Sequence, residues 1–164
     1  ELAACLNMLS YCREKWRSLV LPRKVRREIE PTDYVSGQFR FTLDQNKVLD
    51  LLVVSPDWTG EDRRVPPCRA MLIPGRLAHL AEGLTASWAV SFGLSPKDTL
   101  TLSSMGEETI CLALQREVIS LTGERLDPQE FPLDRQDHTA LCQILACVGV
   151  QLLLGVEPGE VSLA

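Results

Sequence analysis

The sequence predicts an α/β fold: a small mixed sheet with a βαβ unit, C-terminal β-hairpins, an N-terminal helical arm and a buried C-terminal helix. Two apolar runs flank a helical stretch within residues 68–93, an order typical of parallel strand pairing. Apolar and polar side chains then alternate within residues 98–115, as in half-buried antiparallel strands. An almost wholly apolar run at 139–156 completes the pattern, because a helix that is apolar all round is buried.

The N-terminal part predicts an arm that is separate from the body. Apolar residues recur there at intervals of three and four, which predicts an amphipathic helix over about residues 1–19: Leu2, Cys5, Leu6, Leu9, Cys12, Trp16 and Leu19. Pro22 stops this helix, and residues 20–36 form a connector. We therefore divide the chain into an N-terminal helix and basic connector at 1–30 and a single α/β domain at 31–164.

The body begins with a predicted hairpin. Phe39, Phe41 and Leu43 alternate with polar residues, the period of a half-buried strand. A polar turn at 44–46 precedes the β-branched apolar run KVLDLLVVS at 47–55, which is typical of a central strand. These two strands pair in the prediction.

A βαβ unit follows. CRAMLI at 68–73 and SWAVSFG at 87–93 are predicted buried strands, and a short helix at 76–84 follows the turn Pro74-Gly75. Crossovers of this kind give parallel, right-handed pairing, so these two strands are expected to run parallel.

The remaining elements are two hairpins and the last helix. DTLTLSS at 98–104 and TICLALQ at 109–115 are joined by a polar turn, and a second hairpin turns at Thr122-Gly123. DPQEFP at 127–132 is predicted to be a loop. The closing helix is expected to begin near Asp134 or Asp137, to end at Gly155, and to lie against the sheet or in an oligomer interface.

Charge and aromatic content argue against nucleic acid as a partner. The net charge is −5 and only 5% of the residues are aromatic, which leaves few rings for base stacking. Seven basic residues fall within 15 positions: Arg13, Lys15, Arg17, Arg23, Lys24, Arg26 and Arg27. Such a cluster can attract phosphates or anionic membranes, but we interpret it as the solvated face of a helix and its exit loop. No membrane contact is expected either, because the run at 139–156 is short for a span and contains glutamines.

The cysteines and histidines do not predict a metal site. Cys5, Cys12, Cys68, Cys111, Cys142 and Cys147 form no C-x-x-C pair and have apolar neighbours, so we expect buried thiols in a cytoplasmic protein. His79 and His138 have no partner at a diagnostic spacing and are interpreted as structural. The common nucleotide-binding, hydrolase and zinc-protease motifs are also missing from the sequence, and we expect neither a metal nor a cofactor.

The candidate binding residues lie where the predicted parallel strands end, because ligands of open α/β sheets bind at the carboxyl ends of the strands beside helix N-termini. Gly75 and Arg76 open the predicted short helix, where free N–H groups and a cation could hold an anion. The alternative is that these are ordinary turns with solvated neighbours. The candidate set is Ser55, Asp57, Gly75, Arg76, Gly93, Ser95 and Lys97.

One segment resembles a known family. In WAVSFGLSPKDTLTLSS at 88–104, a strand ends in Phe-Gly, a polar turn contains Asp98, and an alternating strand follows. Over residues 87–117 this arrangement resembles the closing part of the Mur ligase central domain. Mur ligases bind ATP through a Gly-Lys-Ser/Thr loop and this chain has none, so the resemblance implies a similar strand arrangement without ligase activity. No functional residue carries over.

These observations predict a non-catalytic α/β domain that binds a protein partner or its own copy as a homodimer, through the N-terminal helix and the apolar C-terminal helix. The alternative is a Rossmann-like small enzyme, or a protein that binds a small molecule or anion at the carboxyl ends of the parallel strands. A deep pocket at those ends favours the alternative, whereas a large two-fold apolar interface favours the first hypothesis.

Overall fold

The computed structural model describes residues 30–35, 38–42, 49–54, 56, 67–81, 85–135, 140–155 and 158. The predicted helix over 1–19 lies outside these residues, and the proposed division between residues 30 and 31 stays a prediction. The described elements are the strands β1 Glu30–Val35, β2 Gln38–Thr42, β3 Leu49–Val54, β4 Cys68–Pro74, β5 Ala86–Gly93, β6 Leu100–Met105, β7 Thr109–Leu114, β8 Val118–Ile119, β9 Arg125–Leu126 and β10 Gln129–Asp134, a 3₁₀ helix at Gly75–Ala81, and the helix α1 at Leu141–Leu153.

Eight strands of the described chain form one mixed sheet in the order β1-β2-β3-β4-β5-β6-β7-β10, and β8 and β9 form a separate hairpin. The central strands β3 to β6 run parallel to one another, whereas the pairs on either side are antiparallel. The predicted α/β class with a mixed sheet is therefore confirmed. So are the predicted pairings of β2 with β3, of β6 with β7 and of β8 with β9.

The predicted strand, helix, strand unit is present as β4, the 3₁₀ helix and β5. The helix expected at 76–84 is a 3₁₀ helix at Gly75–Ala81. The next connection is tighter: β5 and β6 pair only at Phe92 with Leu100 and at Gly93 with Thr101. The chain between them therefore makes a compact loop at the carboxyl end of β5.

Two strands lie where the sequence predicts irregular structure. β1 lies within the predicted connector at 20–36, and β10 overlaps the predicted DPQEFP loop. Both predictions were wrong, although Pro31 and Pro132 lie in these segments and proline is unfavourable inside a sheet. Within the part of the chain that the structure describes, β1 and β10 are the two edges of the sheet, and an edge strand tolerates proline because one side of its backbone pairs with no neighbour.

The start of α1 also differs from the prediction. Asp134 is the last residue of β10, paired with Thr109 of β7, and cannot cap the helix. Ala140 holds the N-cap position without a side-chain hydrogen bond, while Asp137 lies outside the described residues. The expected end near Gly155 is correct: α1 ends at Leu153, and Gly155 has a φ of +73°, the left-handed conformation that often ends a helix.

The helix α1 is buried within a single chain. All residues from Ile144 to Leu154 are buried, and Leu145 is 1% exposed. The helix packs on one face of the sheet, against a cluster that includes Leu72 and Phe92. A smaller cluster around Met71 and Leu77 occupies the opposite face. Of the two predicted locations for this helix, the sheet is the one that the structure shows.

Candidate functional site

The carboxyl ends of the parallel strands bring several predicted site residues together. Arg76 Nη2 donates a hydrogen bond of 2.7 Å to Pro56 O, which links the end of β4 to the chain after β3. Ser55 and Asp57 lie outside the described residues. Gly93 ends β5, and the next loop carries Ser95 and Lys97 as exposed residues.

Asp98 organises this edge, although it is not among the predicted site residues. Its side chain is buried, and Oδ2 accepts a hydrogen bond of 3.0 Å from Ser95 N. A Cβ on Gly75 would lie 1.8 Å from Asp98 Oδ1, and a Cβ on Gly93 would lie 2.5 Å from Oδ2. Both positions therefore require glycine, because the carboxylate occupies the space where a side chain would begin.

The other polar groups of the loop bond to one another. Asp98 N donates to Ser95 O at 2.9 Å, and Lys97 N donates to Ser95 Oγ at 3.2 Å. Thr99 N donates to Ser91 Oγ at 3.1 Å. The arrangement fixes the loop between β5 and β6, and it uses groups that a ligand would otherwise contact.

A second candidate site is an open cavity of about 300 Å³, which we call the edge cavity. It lies between the β8–β9 hairpin, the edge strand β10 and the end of α1. Much of its lining is apolar: Leu126, Phe131, Pro132, Leu152 and Pro158. Glu124, Gln129, Glu130 and Gly155 complete the lining. A mostly apolar wall with a few polar groups is the usual composition of a binding pocket.

The edge cavity carries uncompensated negative charge. A Cβ on Gly155 would lie 3.4 Å from Glu124 Oε2, which places this carboxylate beside the C-terminal end of α1, the negative end of the helix dipole. The nearby Arg125 is already paired with Glu117 and with Asp127. No cation in the described part of the chain forms an ion pair with Glu124.

The hairpin that forms one wall of the cavity is tied to the helix. Leu121 N donates to Leu153 O at 2.7 Å. Ser120 Oγ accepts from Glu124 N at 3.0 Å and lies 2.7 Å from Thr122 Oγ1. These bonds hold the β8–β9 turn against the end of α1 and so fix the backbone from which the Glu124 side chain extends.

The outer side of β10 is open among the described residues. Arg135 N donates to Glu108 O, next to the start of β7, at 2.8 Å. Because the backbone groups of every second residue in an antiparallel strand point to the same side, residues 131 and 133 also direct theirs toward β7. The backbone groups of Glu130, Pro132 and Asp134 therefore point away from the sheet. Pro132 has no N–H to offer, but the N–H groups of Glu130 and Asp134 are available to a partner.

On the face of the sheet opposite α1, Glu130 approaches two other polar side chains. Ser103 Oγ donates to Glu130 Oε1. Burial, and after it the charge of Glu130, raises the pKa of the Cys111 thiol, so this thiol is not activated as a nucleophile. Burial raises the pKa of Cys68 to about 11. Neither cysteine has the lowered pKa of a catalytic thiol.

None of the four cysteines among the described residues forms a disulfide, and they are not all buried as the sequence predicted. Cys68 and Cys147 are buried, Cys111 is intermediate and Cys142 is exposed. Cys142 lies in the first turn of α1, on the side away from the sheet. The prediction for this residue was wrong because its apolar neighbours in sequence lie on other sides of the helix. Across the described ranges, no group of three or more His, Cys, Asp or Glu residues could hold a metal ion.

Comparison of the chain with models of known protein families, with curated proteins and with solved structures gave no match. The resemblance of residues 87–117 to the Mur ligase central domain therefore stays a prediction. Among the described helices, none has both the length and the apolar character needed to cross a membrane.

Proposed function

We propose that this chain is a non-catalytic α/β domain that binds a protein partner at the edge cavity and along β10. The observation that carries the proposal is the position of the cavity, which adjoins a sheet edge with unpaired backbone groups. Extended segments bind such edges through main-chain hydrogen bonds and place alternate side chains in neighbouring pockets. A partner segment on β10 would meet both features at once.

A heterologous partner fits this surface better than a second copy of the chain. If two β10 strands paired, Glu130 and Asp134 would bring like charges together, which is destabilising between paired strands. The helix α1, which the sequence predicts as an association surface, is largely buried within one chain. Association of identical chains through these two elements is therefore not part of the proposal.

A selection experiment tests the proposed function. Short random-sequence peptides displayed on phage would be selected on the whole chain, and the enriched peptides measured against two variants. Gln129→Trp places a large side chain in the edge cavity, because Gln129 lines it and is exposed. Gln115→Trp is the control, since Gln115 is also exposed but follows β7 and does not line the cavity.

We expect enriched peptides with micromolar affinity that lose about tenfold in affinity with Gln129→Trp, a loss of about 1.4 kcal/mol, and keep it with Gln115→Trp. Binders that are insensitive to Gln129→Trp would place the recognition surface elsewhere. A selection that yields no enriched peptide would contradict the proposal.

A second candidate function is the binding of a small molecule or anion at the carboxyl ends of the parallel strands. It is favoured by the position of Arg76 and Lys97 around the Asp98 loop, as both are exposed cations beside these strand ends. Inorganic phosphate should then raise the thermal midpoint of the wild-type chain and fail to do so in Lys97→Ala. Arg135→Ala, which removes an exposed arginine at the far end of β10, is the control. An equal response of all three proteins would contradict this candidate.

A further inference from the structure

We infer that the edge cavity recognises a basic side chain, arginine or lysine, in an extended segment of the partner. This inference rests on the proposed function and specifies its partner chemistry. It comes from two features of the cavity that have different physical origins: an apolar wall and an unneutralised carboxylate at one end.

The apolar wall suits the stem of a basic side chain. Leu126, Phe131 and Leu152 line the cavity, and the methylene groups of lysine and arginine pack well on such surfaces while the charged head reaches a polar environment. A short aliphatic side chain would fill the apolar part but leave Glu124 without a partner. A long side chain with a cationic end satisfies both parts.

The charge of the cavity selects the sign of that end. The carboxylate of Glu124 lies beside Gly155, at the negative end of the α1 dipole, where cations are favoured. Arg125 cannot neutralise it without leaving Glu117 and Asp127. An acidic side chain would be repelled by both the carboxylate and the dipole, so the site discriminates against acidic segments.

The fixed position of Glu124 strengthens the preference. Its backbone N–H is bonded to Ser120 Oγ, and the preceding turn is bonded to α1 through Leu121. These bonds fix the backbone from which the Glu124 side chain extends, so the carboxylate stays within reach of the end of α1, where it can accept a bond from a guanidinium group. Charge-assisted bonds of this type are stronger than neutral ones and can be bidentate with arginine.

The test compares peptide selections on the wild-type chain, on Glu124→Gln and on Glu107→Gln. Glu107 is an exposed glutamate of the β6–β7 turn, so its variant changes the net charge equally without touching the cavity. Peptides selected on the wild type should share an arginine or lysine at one position. This enrichment should disappear with Glu124→Gln and persist with Glu107→Gln, which separates local recognition from attraction of basic peptides by the whole acidic chain.

A second measurement uses one selected peptide and its citrulline analogue, which keeps the shape of arginine but removes the charge. The analogue should bind the wild type about tenfold more weakly, the range expected for loss of a hydrogen bond to a charged group. It should bind Glu124→Gln with no further loss. Peptides that depend on Gln129 but carry no preferred basic residue, or an analogue that binds the wild type equally well, would overturn the inference while leaving the proposed function intact. If no selected peptide depends on Gln129, the proposed function fails, and the inference with it.

Discussion

The carboxylate of Asp98 lies directly against the backbone of Gly75, so that a Cβ at Gly75 would stand 1.8 Å from Asp98 Oδ1. The carboxylate is held from the other side by Ser95 N, which prevents it from moving away. One buried side chain thus joins the loop after β5 to the start of the 3₁₀ helix after β4. The relationship explains why the chain has glycine directly after β4, where the sequence indicated only a turn.

Gly75→Ala is therefore expected to destabilise the fold by about 1–3 kcal/mol, the usual cost of overpacking. Urea unfolding would measure it. Gly106→Ala is the matched control, because a Cβ there would meet its nearest atoms at an ordinary 3.5 Å. Asp98→Ala should restore part of the loss when combined with Gly75→Ala. Equal stabilities of the two alanine variants would show that the contact with Asp98 is not tight.

Gly149 provides a second packing prediction, in which two effects oppose each other. Alanine in place of a mid-helix glycine stabilises a helix by about 1 kcal/mol. At Gly149, however, a Cβ would lie 2.7 Å from Leu72 Cδ1, and Leu72 is fully buried. Because overpacking costs about 1–3 kcal/mol, we expect Gly149→Ala to destabilise the fold.

Shortening the opposing side chain should reverse that result. The double variant Gly149→Ala with Leu72→Val removes the methyl contact and keeps the gain in helix propensity. Its free energy of unfolding should therefore be higher than the value calculated by adding the changes of the two single variants to the wild-type value. Strict additivity of the two changes in a double-mutant cycle would contradict the contact.

Leu145→Asp should prevent stable folding. Leu145 is 1% exposed on the face of α1 that meets the sheet, and a buried carboxylate without a partner adds to the loss of about 2–5 kcal/mol from removing the side chain. The variant should be insoluble, or lack a cooperative thermal transition. Cys142→Asp is the control, since Cys142 is exposed in the first turn of α1, where a negative charge is favourable. A folded Leu145→Asp protein of unchanged mass would contradict the packing of α1.

The thiols are expected to react in an order set by burial. Iodoacetamide at pH 8 should modify Cys142 in the folded protein, whereas Cys68 should react only on unfolding, because its pKa is raised to about 11 and its thiol is buried. Since the pKa in the folded state exceeds the ordinary thiol value of 9.0, this group stabilises the fold below pH 9, and the stabilisation is lost as the pH rises toward 11. Peptide mapping by mass spectrometry gives the order. Equal modification of Cys68 and Cys142 in the folded state would show that Cys68 is accessible.

The sequence predicted those strands and the helix whose side-chain pattern can be recognised within a single segment of the chain. The alternation around Leu112 and the β-branched run before Val54 identify strands by side-chain type alone, and the apolar run around Leu145 identifies a buried helix. It did not predict β1 and β10, because the cost of Pro31 and Pro132 depends on whether a strand has one neighbour or two. That number is a property of the sheet and not of the segment.

The candidate sites were predictable to different extents. The carboxyl ends of the strands were expected from topology, and Gly75, Arg76 and Gly93 lie there. The role of Asp98 was not, because it depends on the close approach of two glycines that are distant in sequence. The edge cavity was missed for the same reason that β10 was missed: Phe131 and Glu130 become part of a site only when their segment pairs with β7.

The most direct test of the account is hydrogen exchange at the backbone amides of Glu130 and Asp134, measured by NMR with and without a peptide selected on the whole chain. If a partner segment binds along β10 beside the edge cavity, both outward N–H groups gain a hydrogen-bond partner, and their exchange should slow on peptide addition. The amide of Ile119, on β8, serves as an internal reference. Slower exchange at Glu130 and Asp134 is the predicted result; a bound peptide that leaves both amides unchanged would contradict the proposed binding site.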